Sequence, residues 1–139
     1  NVEFFVVKDL NEGLSEAVKR RIEKIAPGRS TRMGTAIRHV TAKLAETPAR
    51  LKILFLVSDG RPQDHDYGRD ATEKDYAIHD THMALVEARR KEIIPFCLTI
   101  DPNGADYLRT MCADIGYEVL EDIEALPQVL PSLYRRVAF

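Results

Sequence analysis

Lys52-Ile53-Leu54-Phe55-Leu56-Val57-Ser58-Asp59-Gly60 decides the fold of this chain. Six apolar or small residues follow the lysine without alternation, and an acid and a glycine then end the run. An uninterrupted apolar run of that length, stopped by a turn signal, predicts a strand buried on both faces of a parallel sheet. Parallel sheets place ligands just beyond the carboxyl ends of their strands. Asp59 stands at that edge, and Gly60 lets the backbone turn sharply behind it. Two roles are open to its carboxylate: a ligand for a metal or bound group, or a cap for the amides of the following loop.

Outward from this strand, helical and strand-like segments alternate. Val2 to Val7 predicts a strand rich in β-branched and aromatic residues. Leu14, Ala17, Val18, Ile22 and Ile25 form a helical stripe closed by Pro27-Gly28, with Lys19, Arg20 and Arg21 on its polar face. Met33, Ile37, Val40 and Leu44 form a second stripe, ending before Pro48. The polar stretch from Arg61 to Asp75 reads as a long loop, of the kind that carries function or moves. A helix from about Tyr76 to Lys91 turns Ala77, Ala84, Leu85 and Ala88 inward. Ile93 to Ile100 is a second near-continuous apolar strand, with Pro95 near its start. A helix over 105–115 with Gly116 just past its end, a short strand over 117–120 and a last helix over 127–137 complete the chain. The expected fold class is α/β: one domain, residues 1–139, with a mostly parallel sheet flanked by helices.

The bulk numbers exclude several classes. A chain of 139 residues with 45% hydrophobic and 30% charged residues is an ordinary globular domain. Nothing approaches the roughly 18 consecutive apolar residues that a membrane helix needs. A net charge of -2 sets up no cationic field for nucleic acid or anionic lipid. Cys97 and Cys112 lie in apolar segments with no CxxC spacing, as small buried hydrophobes do, and the simpler expectation is a reducing, intracellular setting. The chain opens on Asn1 and directly on a strand-like stretch, so it reads as a piece of a longer protein.

Two constellations carry possible chemistry. Thr31 enters the second helix and Asp59 ends a strand, and helix entries and strand carboxyl ends share one rim of an α/β sheet. A hydroxyl and a carboxylate together suit a hard divalent cation, leaving positions open for a partner's carboxylate. The plain structural role for Thr31 is a helix N-cap. The second constellation is Asp64-His65-Asp66 with His79, Asp80 and His82. Its spacing matches no usual zinc framework and there is no HExxH, so solvated loop and helix surface is the plainer reading. It supports the competing function, a metal-dependent hydrolase using Asp59, Asp64, His65 and Asp66. Nucleophile chemistry lacks a GxSxG elbow, a phosphate loop and a Cys–His pair close in sequence.

With Thr31, Asp59 and the alternating layout in view, the chain resembles the von Willebrand factor A-type domains. Their metal-ion-dependent adhesion site (MIDAS) has three pieces: DxSxS after the first strand, a Thr in a later loop, and an Asp in a (T/S)DG strand end. Ser30-Thr31-Arg32-Met33-Gly34-Thr35 matches the second piece and Val57-Ser58-Asp59-Gly60 the third. Pro27-Gly28-Arg29-Ser30-Thr31, Asp59-Gly60-Arg61-Pro62-Gln63-Asp64, Asp75-Tyr76 with Asp80-Thr81, Glu87-Ala88-Arg89 and Pro95 to Asp101 extend the resemblance to the C-terminal domains of the NorD/CbbO family, over nearly the whole chain. The resemblance implies a cytoplasmic, non-enzymatic adaptor that works with a MoxR-type AAA+ ATPase to activate a metalloenzyme, nitric oxide reductase first and rubisco second. It implies that Asp59 holds Mg²⁺ or Mn²⁺ through water and that Thr31 adds its hydroxyl when a partner acid binds. Arg32, Arg61, Gln63 and Asp64 would shape the partner rim, with Arg29, Arg32 and Arg38 offsetting the acid's charge or pairing with the partner.

One departure from the pattern has consequences. No DxSxS occurs in this sequence. The resemblance then implies that the chain begins at the third strand of the domain and that half of the ion site lies upstream. The Ile53–Val57 strand would have an open edge, and open apolar edges recruit strands. The expectation is that the N-terminal strand moves beside it, or that a homodimer completes the sheet.

Overall fold

The computed structural model describes residues 3–26, 32–59 and 71–139, with 71–75 described by backbone alone. Its elements are α1 (Glu16–Glu23), α2 (Met33–Glu46), β1 (Ile53–Ser58), α3 (Ala71–Arg90), β2 (Ile94–Thr99), α4 (Gly104–Met111), β3 (Gly116–Val119), a 3₁₀ turn (Ile123–Ala125) and α5 (Leu126–Ala138). The three strands form one parallel sheet in the order β1-β2-β3. Parallel neighbours need a crossover, and α3 and α4 supply the two. The apolar runs make the strands and the amphipathic segments between them make the covering helices.

Alternation along each strand divides the core into two layers. Leu54, Leu56 and Cys97 face α2, α3 and α4, where Ile37, Leu85, Leu108 and Met111 are buried. Phe55, Phe96 and Leu98 face the other way, onto Leu133 and its neighbours on α5. Both cysteines are free and buried, as the sequence predicts.

The structure corrects the expected roles of several segments. Among the described residues β1 has the open edge expected of it, but it is not buried on both faces: it is half-buried over most of its length, and Val57 is 53% exposed. β2 is the central strand, buried from Pro95 to Thr99. The β1 run is the more apolar of the two, so burial here depends on which neighbours pair with a strand rather than on its apolarity. Residues 3–6 form no strand, and Phe5 is 80% exposed. The expected N-terminal strand therefore does not pair with β1 among the described residues. Instead the Phe4 ring packs on His39, with centroids 4.2 Å apart. The stripe of α1 buries only Val18, leaving Leu14, Ile22 and Ile25 exposed.

Helix ends also differ from expectation. α3 begins at Ala71, more than a turn before Tyr76, which shortens the expected loop. Gly116 is not the residue past α4's end but the first of β3, and Asp114 takes the left-handed conformation there, with φ 64°. A Cβ on Gly116 would lie 2.6 Å from the Phe96 ring.

Candidate ion and partner site at the carboxyl edge

The register brings three strand ends to one level. Ser58 pairs with Thr99, and Thr99 with Val119. The Ile100 amide donates to the Ser58 carbonyl at 3.4 Å, carrying the ladder one residue further. Asp59 follows immediately and is exposed at the lip. The other acid at this edge, Asp101, is occupied by its own turn: its carboxylate accepts from the Asn103 amide at 3.0 Å, and its amide donates to the buried Thr99 hydroxyl at 3.1 Å. The loop amides after Asp59 belong to residues outside the described ones, so its capping role lies there too.

α2 delivers its first turn to the same edge. α3 leaves β1 at its carboxyl end and returns to the start of β2, so it runs antiparallel to the strands. Gly34 of α2 packs on Asp80 of α3, and Arg38 reaches Glu87 further along. The contacts ascend together in both helices, so α2 runs alongside α3 in the same direction. Its first turn, with half-buried Arg32 just before it, therefore faces the carboxyl side of the sheet. Thr31, Arg61, Gln63 and Asp64, and the hydrolase candidates His65 and Asp66, lie outside the described residues.

Beside Asp59 a cavity of about 310 Å³ opens on the α5 face. Val57, Leu98, Ile100, Ile123 and Leu126 make it chiefly apolar, with Ser58 and Asp59 on its rim. Val57 is exposed there, while Phe55, Phe96 and Leu98 pack with the residues of α5.

The remaining candidates separate. Arg38, expected to face the acid or a partner, is engaged within the chain: Nη1 donates to Asp80 Oδ1 at 2.9 Å and Nε to Glu87 Oε2 at 2.7 Å. The Glu87 bond, with help from Asp80, raises the guanidinium's pKa further, against the pull of partial burial. Sequence reasoning missed the close approach at Gly34, and it grouped Asp80 with His79 and His82 rather than with Glu87 as a partner of Arg38. The signals were a glycine inside a helical pattern and two acids spaced to share a helix face. His79 is exposed, while His82 Nδ1 lies 3.1 Å from the Met111 carbonyl and ties α3 to α4. Among the described residues no three His, Cys, Asp or Glu side chains converge to hold an ion. Asp59 offers an exposed carboxylate, an oxygen donor. It fits a hard divalent cation in kind and would supply part of its shell.

Comparison with known proteins follows the same lines. Residues 2–131 match the family model of the von Willebrand factor type A domain. An uncharacterized protein of Pseudomonas aeruginosa is 40% identical over 136 residues, 98% of this chain and 22% of its own length. Protein NorD of Brucella melitensis is 40% identical over 132 residues, 95% of this chain and 20% of its own. Protein NorD of Stutzerimonas stutzeri is 39% identical over 116 residues, 84% of this chain and 18% of its own. The chain thus spans about a fifth of the length of these relatives. No solved structure matches it. By its alternating helices and parallel strands, and by this match over most of its length, the chain belongs to the von Willebrand factor type A domain family.

Proposed function

We propose that this chain is the partner-recognition domain of a non-enzymatic adaptor, binding another protein through Mg²⁺ or Mn²⁺ held at Asp59 and Thr31. The observation that carries the reading is an exposed carboxylate at the carboxyl end of β1, on the edge that α2's first turn also faces. Family membership and the resemblance to NorD proteins add to it. A hard cation there links two carboxylates that would otherwise repel, one from this chain and one from the partner. Arg32, Arg61, Gln63 and Asp64 form the rim around that contact. By the same resemblance the adaptor serves a MoxR-type AAA+ ATPase in the cytoplasm, with a metalloenzyme as client, nitric oxide reductase before rubisco.

The test is Asp59→Ala in the full-length protein, with ATPase-dependent activation of the client, partner affinity and Mn²⁺ binding all measured. The expected result is loss of Mn²⁺ binding and at least a tenfold loss of partner affinity, about 1.4 kcal/mol. Client activation at the wild-type level would refute the assignment.

A further inference from the structure

We infer that Asp80 is a positioning residue: from α3 it holds the first turn of α2, with Arg32 just before it, against the carboxyl edge. The inference rests on the reading of that edge as an ion and partner site. Its first support is a close approach. A Cβ built on Gly34 would overlap Asp80 Oδ2, and would stand 3.1 Å from Asp80 Cγ and 3.3 Å from Arg38 Nη1. Only glycine admits the carboxylate so near the helix backbone.

The second support is electrostatic. α2 has no acidic residue in its first turn, and Arg32, at the N-cap position, makes no side-chain capping bond. A helix N-terminus carries partial positive charge and favours a nearby anion. The anion here comes from the neighbouring helix. The third support is how Asp80 is held. Its side chain is 17% exposed, Arg38 Nη1 donates to Oδ1 at 2.9 Å, and Arg38 Nη2 approaches the Asp80 carbonyl at 3.5 Å. Glu87 anchors the same guanidinium through Nε. A planar fork spanning two carboxylates fixes Asp80 in one orientation, which a lysine cannot do.

Any loosening of this grip would move the first turn of α2 relative to β1, and a displacement of about 1 Å is enough to spoil a positioned site. The experiment uses the full-length protein with Asp80→Asn and Arg38→Lys. Hydrogen exchange is read at residues 32–36 and at β2, beside Mn²⁺ affinity and Tm. For Asp80→Asn the expected result is roughly tenfold faster exchange at residues 32–36, unchanged exchange in β2, and Mn²⁺ binding about five- to tenfold weaker at nearly unchanged Tm. Arg38→Lys should give the same local pattern at smaller size.

Unchanged exchange at residues 32–36 in Asp80→Asn overturns the inference. If that variant loosens the whole domain, Arg38→Lys decides: an effect confined to residues 32–36 supports positioning, and a uniform effect or none overturns it. A wild-type protein that binds no Mn²⁺ would instead sink the ion reading, and the exchange data would still decide whether Asp80 sets the place of that turn.

Discussion

Gly116 stands opposite Phe96 across the β3–β2 ladder, and the phenyl ring lies over its bare Cα. The ring is 5% exposed and packs with Leu98 and Leu133 beneath α5. A methyl group at position 116 would therefore meet a side chain with little room to retreat. Gly116→Ala is expected to destabilise the domain by about 1–3 kcal/mol, the usual range for overpacking. Thermal unfolding of wild type and variant checks it, and an unchanged Tm would mean the ring moves freely.

Glu92 closes α3 in the left-handed conformation, with φ 62°. The Ile93 amide donates to the Ala88 carbonyl at 3.1 Å and the Glu92 amide to the Arg89 carbonyl at 2.9 Å, the bonding of a Schellman cap. Glycine is the usual residue there because a Cβ is strained at positive φ. Glu92→Gly should stabilise the domain by about 1 kcal/mol, read as a higher midpoint in urea with an unchanged slope. A lower midpoint would show that the side chain contributes more than its strain costs.

Thr41 is buried on α2, and its hydroxyl has no hydrogen-bond partner among the described residues. Burying a hydroxyl without a partner costs about 1–3 kcal/mol. Thr41→Val keeps the shape and removes the polar atom, so it should raise stability by about 1 kcal/mol in the same urea experiment. A loss of stability would identify a partner for the hydroxyl.

The N-terminal arm is tied to α1 by Arg21, which donates to the Glu12 carboxylate at 2.8 Å and to the Val7 carbonyl at 3.1 Å. The Arg21 hydrogen bond lowers the Glu12 pKa below its ordinary value of 4.5. A carboxyl depressed by folding stabilises above its unfolded pKa, and that contribution disappears as pH falls through the folded one. Attachment of the arm should thus hold constant well above pH 4.5 and weaken as pH falls below that value. Exchange of the 3–14 amides, corrected for intrinsic rates, follows it. Glu12→Gln should abolish the acid step, and a step that survives belongs to another group.

Much of the architecture was legible because it is local. The Ile53–Ser58 and Ile94–Thr99 runs read as parallel strands, and the α3 stripe of Ala77, Ala84, Leu85 and Ala88 is buried as its spacing predicts. The α1 stripe was misleading for the opposite reason. Leu14, Ile22 and Ile25 have the right period, yet among the described residues no element covers them. Arg38 illustrates the limit at the site. Its charge was visible in sequence, but its partners come from α3, far along the chain, and direct it along the helix pair.

The amino-acid sequence by itself determined the order of strands and helices from α1 onward and the placement of Asp59 at a strand's carboxyl end, since periodicity and turn chemistry act between near neighbours. Only the tertiary structure decided that β1 is half-buried while β2 is buried, that Gly116 yields to the Phe96 ring, and that Gly34 admits Asp80. Those outcomes depend on which distant surfaces meet, and burial and close approach exist only once they do.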